Sequence, residues 1–492
     1  MRILFVFPNY APVGGGGMPI GLSILIGIAK SKGHEVMLFD TSFKLKSYWY
    51  NPYTSFIKIQ DDYSFNNDRS LSMEDIVELF RKKVSDFNPD LICISSLTPT
   101  HEIGIKLIEG IKNKKHHLII FGGVHSTVCS EEVIQHKNVD MICISEGEVA
   151  FSELLDCLQS GKDYTNINNL WVKKNGNIIR NPIGTAINAD SIPLCDFSLF
   201  ESEHFYKPFK GQKVRSARVE VSRGCIYPCS YCSNKYLQGL SKGHGRFFRY
   251  KSVSKVIDEL LLYKELYNLE MLFLKDEVFL FLPDQWLVEF SVEYKFRINL
   301  PFFCQSTAKD INEKKVKLLK DMNCVAVAIG AEVGNEKFRK NILKKPISND
   351  EIKKAVELLV KNGIRVSVYF MIGLPYETRD LIFETIEFQR ELYEIGCSPS
   401  QINCFHPLPG CELTDIAKRE GFFRKDFDHK MTTTIAGLDM PQLSSKEIEG
   451  LHRTFSAYTK VEKWMYPIVK MCEEGAGKEI QILEVLNSHY VS

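Results

Sequence analysis

The sequence has no run of about 18 uninterrupted apolar residues, the length a helix needs to cross a bilayer. Even its greasiest stretch, MLFLKDEVFLFLP, is cut by Lys275, Asp276 and Glu277. No membrane span is expected. Charge of one sign is also missing: 62 Lys+Arg stand against 61 Asp+Glu, a formal net charge of +1. That leaves no basic field for gripping nucleic acid and no acidic tail. The opening MRILFVFPNY lacks the long apolar core and small-residue cleavage site of a secretory leader, so a cytoplasmic protein is expected. Cysteine is too dilute for a disulfide scaffold, 14 in 492 residues. There is no repeat of solenoid period and no low-complexity tract.

What is present reads as a globular α/β protein, with 44% hydrophobic and 25% charged residues. The length exceeds one ordinary core, so two or three domains are expected. Residues 1–160 alternate near-continuous apolar strands (RILFVFP, EVMLFD, LICISSL, HLIIFGG, DMICIS) with amphipathic helices. That pattern is a doubly wound parallel sheet covered on both faces. Its ligands bind at the C-terminal ends of the strands, here Pro8–Gly17, Ser95–Thr100, Gly122–Thr127 and Glu146–Glu148. Residues 161–213 read as an irregular linker or wrap. From 214 to 438 about six strand–helix units follow, enough for a partial (βα)6 barrel with its site at the strand C-termini. Residues 439–492 read as a short helical extension.

Chemistry concentrates in SRGCIYPCSYCSN, which places Cys225, Cys229 and Cys232 within eight residues at the end of the first barrel strand. A structural zinc site wants four closed ligands, and His244 could supply a fourth. Thiolates also hold iron–sulfur clusters, and a cubane held by three cysteines keeps one iron open. The spacing Cys-x3-Cys-x2-Cys, with Tyr231 before the last cysteine, resembles the radical S-adenosylmethionine (SAM) enzymes. The resemblance implies a 4Fe–4S cluster ligated by Cys225, Cys229 and Cys232, whose open iron takes the amino and carboxylate groups of SAM. An electron from the cluster then releases a 5′-deoxyadenosyl radical. IGAEVGNEKFRKNILKK is similar to the family's fourth-strand segment. There Glu332 would bind the ribose hydroxyls, against the plainer reading of a solvated loop carboxylate. Arg339 is a candidate to neutralise the SAM carboxylate, against an exposed helical arginine. FMIGLPYET is similar to the turn near the adenine, with Gly373 and Pro375 beside it.

The N-terminal APVGGGGMPIG follows a strand and opens a helix, with Asp40 ending the next strand. No glycine satisfies the i, i+2, i+5 register of a dinucleotide fingerprint: Gly14 and Gly16 lead to Pro19, Gly15 and Gly17 to Ile20. The segment 122–155 instead resembles the cobalamin-binding domain fused to many radical SAM proteins. Gly122, Gly123, His125, Thr127, Glu146, Gly147 and Glu148 match it, and the glycines would let backbone approach a flat ring. Pro8 and Thr98, at two other strand ends, are counted with them as cofactor contacts, as is Tyr231 in the cysteine loop. The first loop, PNYAPVGGGG, has no histidine, so cobalt would lack a protein histidine ligand.

Together the resemblances imply a cobalamin-dependent radical SAM enzyme acting on a small molecule, with a flavodoxin or ferredoxin as electron donor. They imply methyl transfer to an unactivated carbon. A cyclisation, oxidation or rearrangement without methyl transfer, a methylthiotransferase, and a zinc-stapled corrinoid carrier are the alternatives. Two departures, Asn323-Cys324 before the fourth strand and HPLPGCEL at 406–413, put substrate identity in doubt.

Overall fold

The computed structural model describes residues 1–10, 17–45, 71–112, 114–209, 212–429 and 434–474. Gly14, Gly15 and Gly16 of the tested glycine register, and residues 475–492 of the expected helical extension, lie outside the described residues. By packing, the chain divides into two units: Met1–Cys225 with Tyr236–Phe273, and Ile226–Lys235 with the chain from Leu274 onward.

The first unit begins as a strand–helix alternation. Its elements are β1 (Arg2–Phe7), α1 (Ile20–Ser31), β2 (Glu35–Asp40), α2 (Met73–Phe87), β3 (Leu91–Ser95), α3 (His101–Glu109) and β4 (Leu118–Gly122). Then come the short helices α4 (Val124–Val128) and α5 (Ser130–Gln135), followed by β5 (Met141–Cys143) and α6 (Glu148–Ser160). The apolar strands pair in parallel in the order β2-β1-β3-β4-β5. Helices cover them: α2 starts on a Ser72–Asp75 capping box and turns Ile76, Phe80, Val84 and Phe87 inward. That spacing is one face of a helix, and burying each such side chain contributes about 1.5–3 kcal/mol. α2 ends where Asn88 adopts φ 46°. Because β1 lies between β2 and β3, the sheet reverses its order there, and ligands bind at such a switch point.

The stretch expected to be an irregular wrap contains a hairpin, β6 (Leu170–Lys174) and β7 (Asn177–Arg180), which extends the same sheet antiparallel from β5. Its turn is Asn175-Gly176, with φ 52° and 77°. This is the dipeptide that such two-residue turns favour, so the signal was in the sequence.

The first unit continues with β8 (Tyr206–Phe209), β9 (Gln212–Val219) and β10 (Ser222–Arg223). After the cysteine loop and α7 (Asn234–Leu240) come β11 (Arg249–Tyr250), α8 (Val253–Tyr267) and β12 (Met271–Leu274). β8 pairs antiparallel with β9, and β10 with β11. The first barrel strand is thus interrupted at residues 220–221, and the cysteine loop leaves from β10.

The second unit repeats strand and helix. α9 (Asp284–Glu293), β13 (Phe302–Ser306), α10 (Glu313–Asp321), β14 (Cys324–Glu332), α11 (Glu336–Asn341), α12 (Asn349–Lys361), β15 (Arg365–Ile372), α13 (Arg379–Glu394) and β16 (Ser398–Cys404) follow in order. α14 (Glu412–Arg419), α15 (Ser445–Lys460) and α16 (Tyr466–Glu474) complete it. β13 to β16 are consecutive parallel neighbours, and Val327, Ile329, Val366, Val368, Phe370 and Ile372 are fully buried. Read along the chain, β9, β12 and β13–β16 are the six strands of a partial (βα)6 barrel. No helix among the described residues is long and apolar enough to cross a membrane.

Candidate functional site

The loop at residues 224–233 carries all three clustered cysteines. It can leave β10 sharply because Gly224 sits at φ 90°, where a Cβ would come within 2.4 Å of the Phe247 carbonyl oxygen. Its second half is pinned within the second unit. Ser230 Oγ donates to the Ile342 carbonyl at 2.6 Å, Ser230 N to that of Leu343 at 3.1 Å, and Leu413 N to Ser230 O at 2.9 Å. Lys235 and Lys344 both pair with Glu412. No cysteine is disulfide-bonded. Burial pushes the Cys232 thiol up to about 12 and raises that of Cys229.

Glu332 ends β14 at a register shift in its pairing with β15, with φ 68°, a backbone that non-glycine residues adopt at a cost. The price is met locally. Glu332 Oε1 accepts from Tyr231 Oη at 2.9 Å and from Lys345 Nζ at 2.7 Å. Both members of the ion pair are buried. The structure thus brings together Tyr231 and Glu332, two of the expected SAM contacts. It adds Lys345, which sequence reasoning missed; its one signal was being a lysine in the same segment, 13 residues after Glu332.

Arg339 is a correction. It is 0% exposed, and its guanidinium donates to the carbonyls of Ala331 and Ile347 at 2.9 and 2.8 Å, to that of Val333, and to Asn349 Oδ1 at 2.7 Å. Those acceptors occupy the fork, so Arg339 fastens the chain on either side of α11 and offers nothing to a carboxylate ligand. Gly373 is at φ 77°, as a turn glycine should be, with Pro375 buried two residues on. The turn is held by Glu377, whose Oε2 accepts from Gly373 N at 2.6 Å and Leu374 N at 3.1 Å. Glu377 is fully buried, and burial pushes its carboxyl up to about 8.

In the first unit the strand ends after β3, β4 and β5 lie together, as parallel pairing requires. Gly123, at φ 94°, is the close-approach position: a Cβ would lie 2.5 Å from the Ser96 carbonyl oxygen. At Gly122 a Cβ would meet nothing nearer than Cys143, at 4.0 Å, so this strand end is open to a flat ligand. His125 Nδ1 is 3.1 Å from Thr98 Oγ1, and its ring lies 4.1 Å from that of His101, tilted by 33°. Burial, with His125 alongside, lowers His101 to about 3, so it is neutral. Thr127 Oγ1 accepts from Ser145 N at 3.0 Å, joining two of the loops. Pro8 follows β1 directly.

Glu146 and Glu148 are placed differently from expectation. Arg223 Nη1 donates to Glu148 Oε1 at 2.7 Å and lies 3.5 Å from Glu146 Oε1, which also pairs with Arg249. Glu146 Oε2 accepts from Ile187 N at 3.1 Å. Both carboxylates are engaged by protein groups, so they brace the β10–β11 stem rather than present bare oxygens to a ligand. Gly147, between them, has the Cys143 Sγ 3.6 Å from where a Cβ would be.

Comparison with known proteins finds two domains along the chain. A model of the Radical SAM superfamily matches residues 219–388, and a model of the B12 binding domain matches residues 9–155. An uncharacterized methyltransferase of Pyrococcus horikoshii is 26% identical over 92% of this chain and 91% of its own. An anaerobic magnesium-protoporphyrin IX monomethyl ester cyclase of Rubrivivax gelatinosus is 24% identical over 94% of this chain and 77% of its own. The cobalamin-dependent SAM radical enzyme OxsB, solved with aqua-cobalamin bound, superposes with a TM-score of 0.68 at 16% identity, over 99% of this chain and 71% of that one. The chain belongs to the radical SAM enzymes that carry a cobalamin-binding domain, and its cofactors are a 4Fe–4S cluster, SAM and cobalamin.

The residues present fit these groups. Among the described residues no three His, Cys, Asp or Glu side chains converge as a preformed metal site. The fit rests on the donor set, three thiols in one loop, which iron takes as thiolates. For cobalamin it rests on the open strand end at Gly122, next to the tight turn at Gly123.

Proposed function

We propose that this enzyme methylates an unactivated carbon of a small molecule, with Cys225, Cys229 and Cys232 as the cluster ligands and the loops around Gly122, Gly123, Thr98 and His125 facing cobalamin. The observation that carries the radical part is the Tyr231–Glu332–Lys345 cluster beside the pinned cysteine loop. A buried carboxylate, an ammonium and a phenol beside the Cys229 thiol suit a ligand with a diol and a carboxylate. When bound, the cluster supplies the electron that cleaves SAM, and cobalamin supplies a methyl carrier. Glu332 accepts from the ribose hydroxyls and fixes their orientation, and Tyr231 and Lys345 hold Glu332 in place. The turn at Gly373 and Pro375, fastened by Glu377, supports the nucleoside end. Neutral His101, stacked beside His125, presents an uncharged edge to the corrin.

Methyl transfer is favoured by the Pyrococcus horikoshii methyltransferase, which aligns along nearly the whole chain. The Rubrivivax gelatinosus cyclase favours the second reading, a radical reaction without methyl transfer. The enzyme would act in the cytoplasm and draw electrons from a flavodoxin or ferredoxin. The deciding experiment is anaerobic reconstitution with iron, sulfide, cobalamin and a candidate substrate. Methyl transfer yields S-adenosylhomocysteine and 5′-deoxyadenosine together. Sustained 5′-deoxyadenosine without S-adenosylhomocysteine assigns the second reading instead.

A further inference from the structure

The cysteine loop has two spans. The second, from Cys229 to Cys232, is held by the bonds of Ser230 to Ile342, Leu343 and Leu413. The first, from Cys225 to Cys229, is longer and is held differently. Of the residues between its cysteines, Ile226 and Pro228 are exposed. Tyr227, between them, is half-buried. Its hydroxyl donates to Asp310 Oδ2 at 2.8 Å, across 83 residues of chain. Its ring meets that of Phe281 edge-on, with centroids 6.4 Å apart.

Asp310 is fastened before it meets Tyr227. It closes a one-turn 3₁₀ helix, Ala308–Asp310, just beyond the C-terminal end of β13. Thr307, buried at the start of that turn, donates from Oγ1 to the same Oδ2 at 2.7 Å. Asp310 N donates back to the Thr307 carbonyl at 3.1 Å. The two hydroxyls lie 3.4 Å apart, so both converge on one carboxylate oxygen. Hydrogen bonds to an ionised acceptor are roughly twice as strong as neutral ones. A barrel-strand end thus grips the middle of the first span.

Groups that orient metal ligands from outside the coordination sphere change metal affinity by about 10–100-fold when removed. We propose that Asp310 is a positioning residue for the iron–sulfur cluster. Through Tyr227 it fixes the span from Cys225 to Cys229, so that the two thiols are preset for iron rather than gathered by it. Asp310 touches neither iron nor SAM in this role; it acts only through the tyrosine. The proposal rests on the reading of Cys225, Cys229 and Cys232 as the cluster ligands.

The test uses the full-length chain, reconstituted anaerobically with iron and sulfide, and its Asp310→Ala, Asp310→Asn, Tyr227→Phe and Asp310→Ala/Tyr227→Phe variants. Iron release to excess ferrous chelator is followed by absorbance, and the dithionite-reduced cluster by electron paramagnetic resonance. Asp310→Ala and Tyr227→Phe should each release iron at least about tenfold faster than the wild type, with an altered resonance. The double variant should be no worse than Asp310→Ala alone, because both changes remove one interaction. Asp310→Asn keeps an oxygen that accepts from both hydroxyls, so its release should stay within about threefold of wild type. Cluster-free Tyr227→Phe should melt with the cluster-free wild type, which separates positioning from loss of fold. Wild-type release and resonance in Tyr227→Phe overturn the proposal, even where Asp310→Ala fails to fold. Losses that multiply in the double variant, or a lowered melting temperature of cluster-free Tyr227→Phe that accounts for its loss, overturn it as well. Iron held in full by Cys225→Ala would sink the ligand reading, and this proposal with it. Iron lost from Cys225→Ala but kept by Tyr227→Phe sinks the positioning role alone.

Discussion

Tyr231 Oη donates a hydrogen bond to Glu332 Oε1 across 2.9 Å, although 101 residues separate them in the chain. The bond ties the cysteine loop to the end of β14. Lys345 closes on the same oxygen, so one carboxylate serves three elements at once.

Glu332→Gln should therefore show two separable effects. It leaves the buried Lys345 ammonium without its counter-charge, which costs about 3–5 kcal/mol in such settings, read by anaerobic urea denaturation. It also removes the ionised acceptor for the ribose diol, so SAM affinity in equilibrium dialysis should fall at least about tenfold, the effect of 1.4 kcal/mol. Glu332→Gln combined with Lys345→Met should recover most of the stability and none of the affinity. Wild-type SAM affinity in the single variant would sink this role.

Arg339→Met should act on stability alone. Three carbonyls and the Asn349 side chain lose their donor, and each buried acceptor left unpaired costs about 1–3 kcal/mol. Unfolding should shift by roughly 3 kcal/mol or more. SAM affinity of the folded fraction should stay within about twofold. A selective loss of SAM binding with unchanged stability would restore Arg339 as a ligand contact.

Glu377 makes stability depend on pH in a definite direction. Its carboxyl is raised from 4.5 unfolded to about 8 folded, because burial disfavours its charge. Between these values the folded state binds the extra proton, so stability falls as pH rises, by at most about 1.4 kcal/mol per pH unit. Below 4.5 both states are protonated and the contribution is flat. Glu377→Gln, whose amide oxygen can still accept from Gly373 N and Leu374 N, should flatten the slope from pH 5 to 8. Melting curves of the two proteins that stay parallel across that range would refute the assignment.

Cys225→Ala, Cys229→Ala and Cys232→Ala should each abolish the charge-transfer absorbance of the cluster and all 5′-deoxyadenosine formation. Cobalamin binding by the first unit should persist. One equivalent of zinc and no labile sulfide in the wild type would instead support a zinc-stapled corrinoid carrier.

Much of this was legible locally. The Cys-x3-Cys-x2-Cys spacing, the apolar strands and the capped helices need only near neighbours in the chain, so strand–helix alternation and the cysteine loop could be placed from sequence. The Asn175-Gly176 turn is an equally local signal, set among polar residues. The partners of charged side chains were not legible. Arg339 was expected at a ligand, and the tertiary structure closes backbone carbonyls around it. Glu146 and Glu148 were expected at the corrin, and arginines about 75 to 100 residues away engage them. Lys345 had no motif to mark it until the fold laid it on Glu332. Chain-local periodicity and turn chemistry decide which elements form. Only tertiary packing decides which buried charges meet, because a desolvated charge takes whatever partner the fold brings within reach, however far away it lies in sequence.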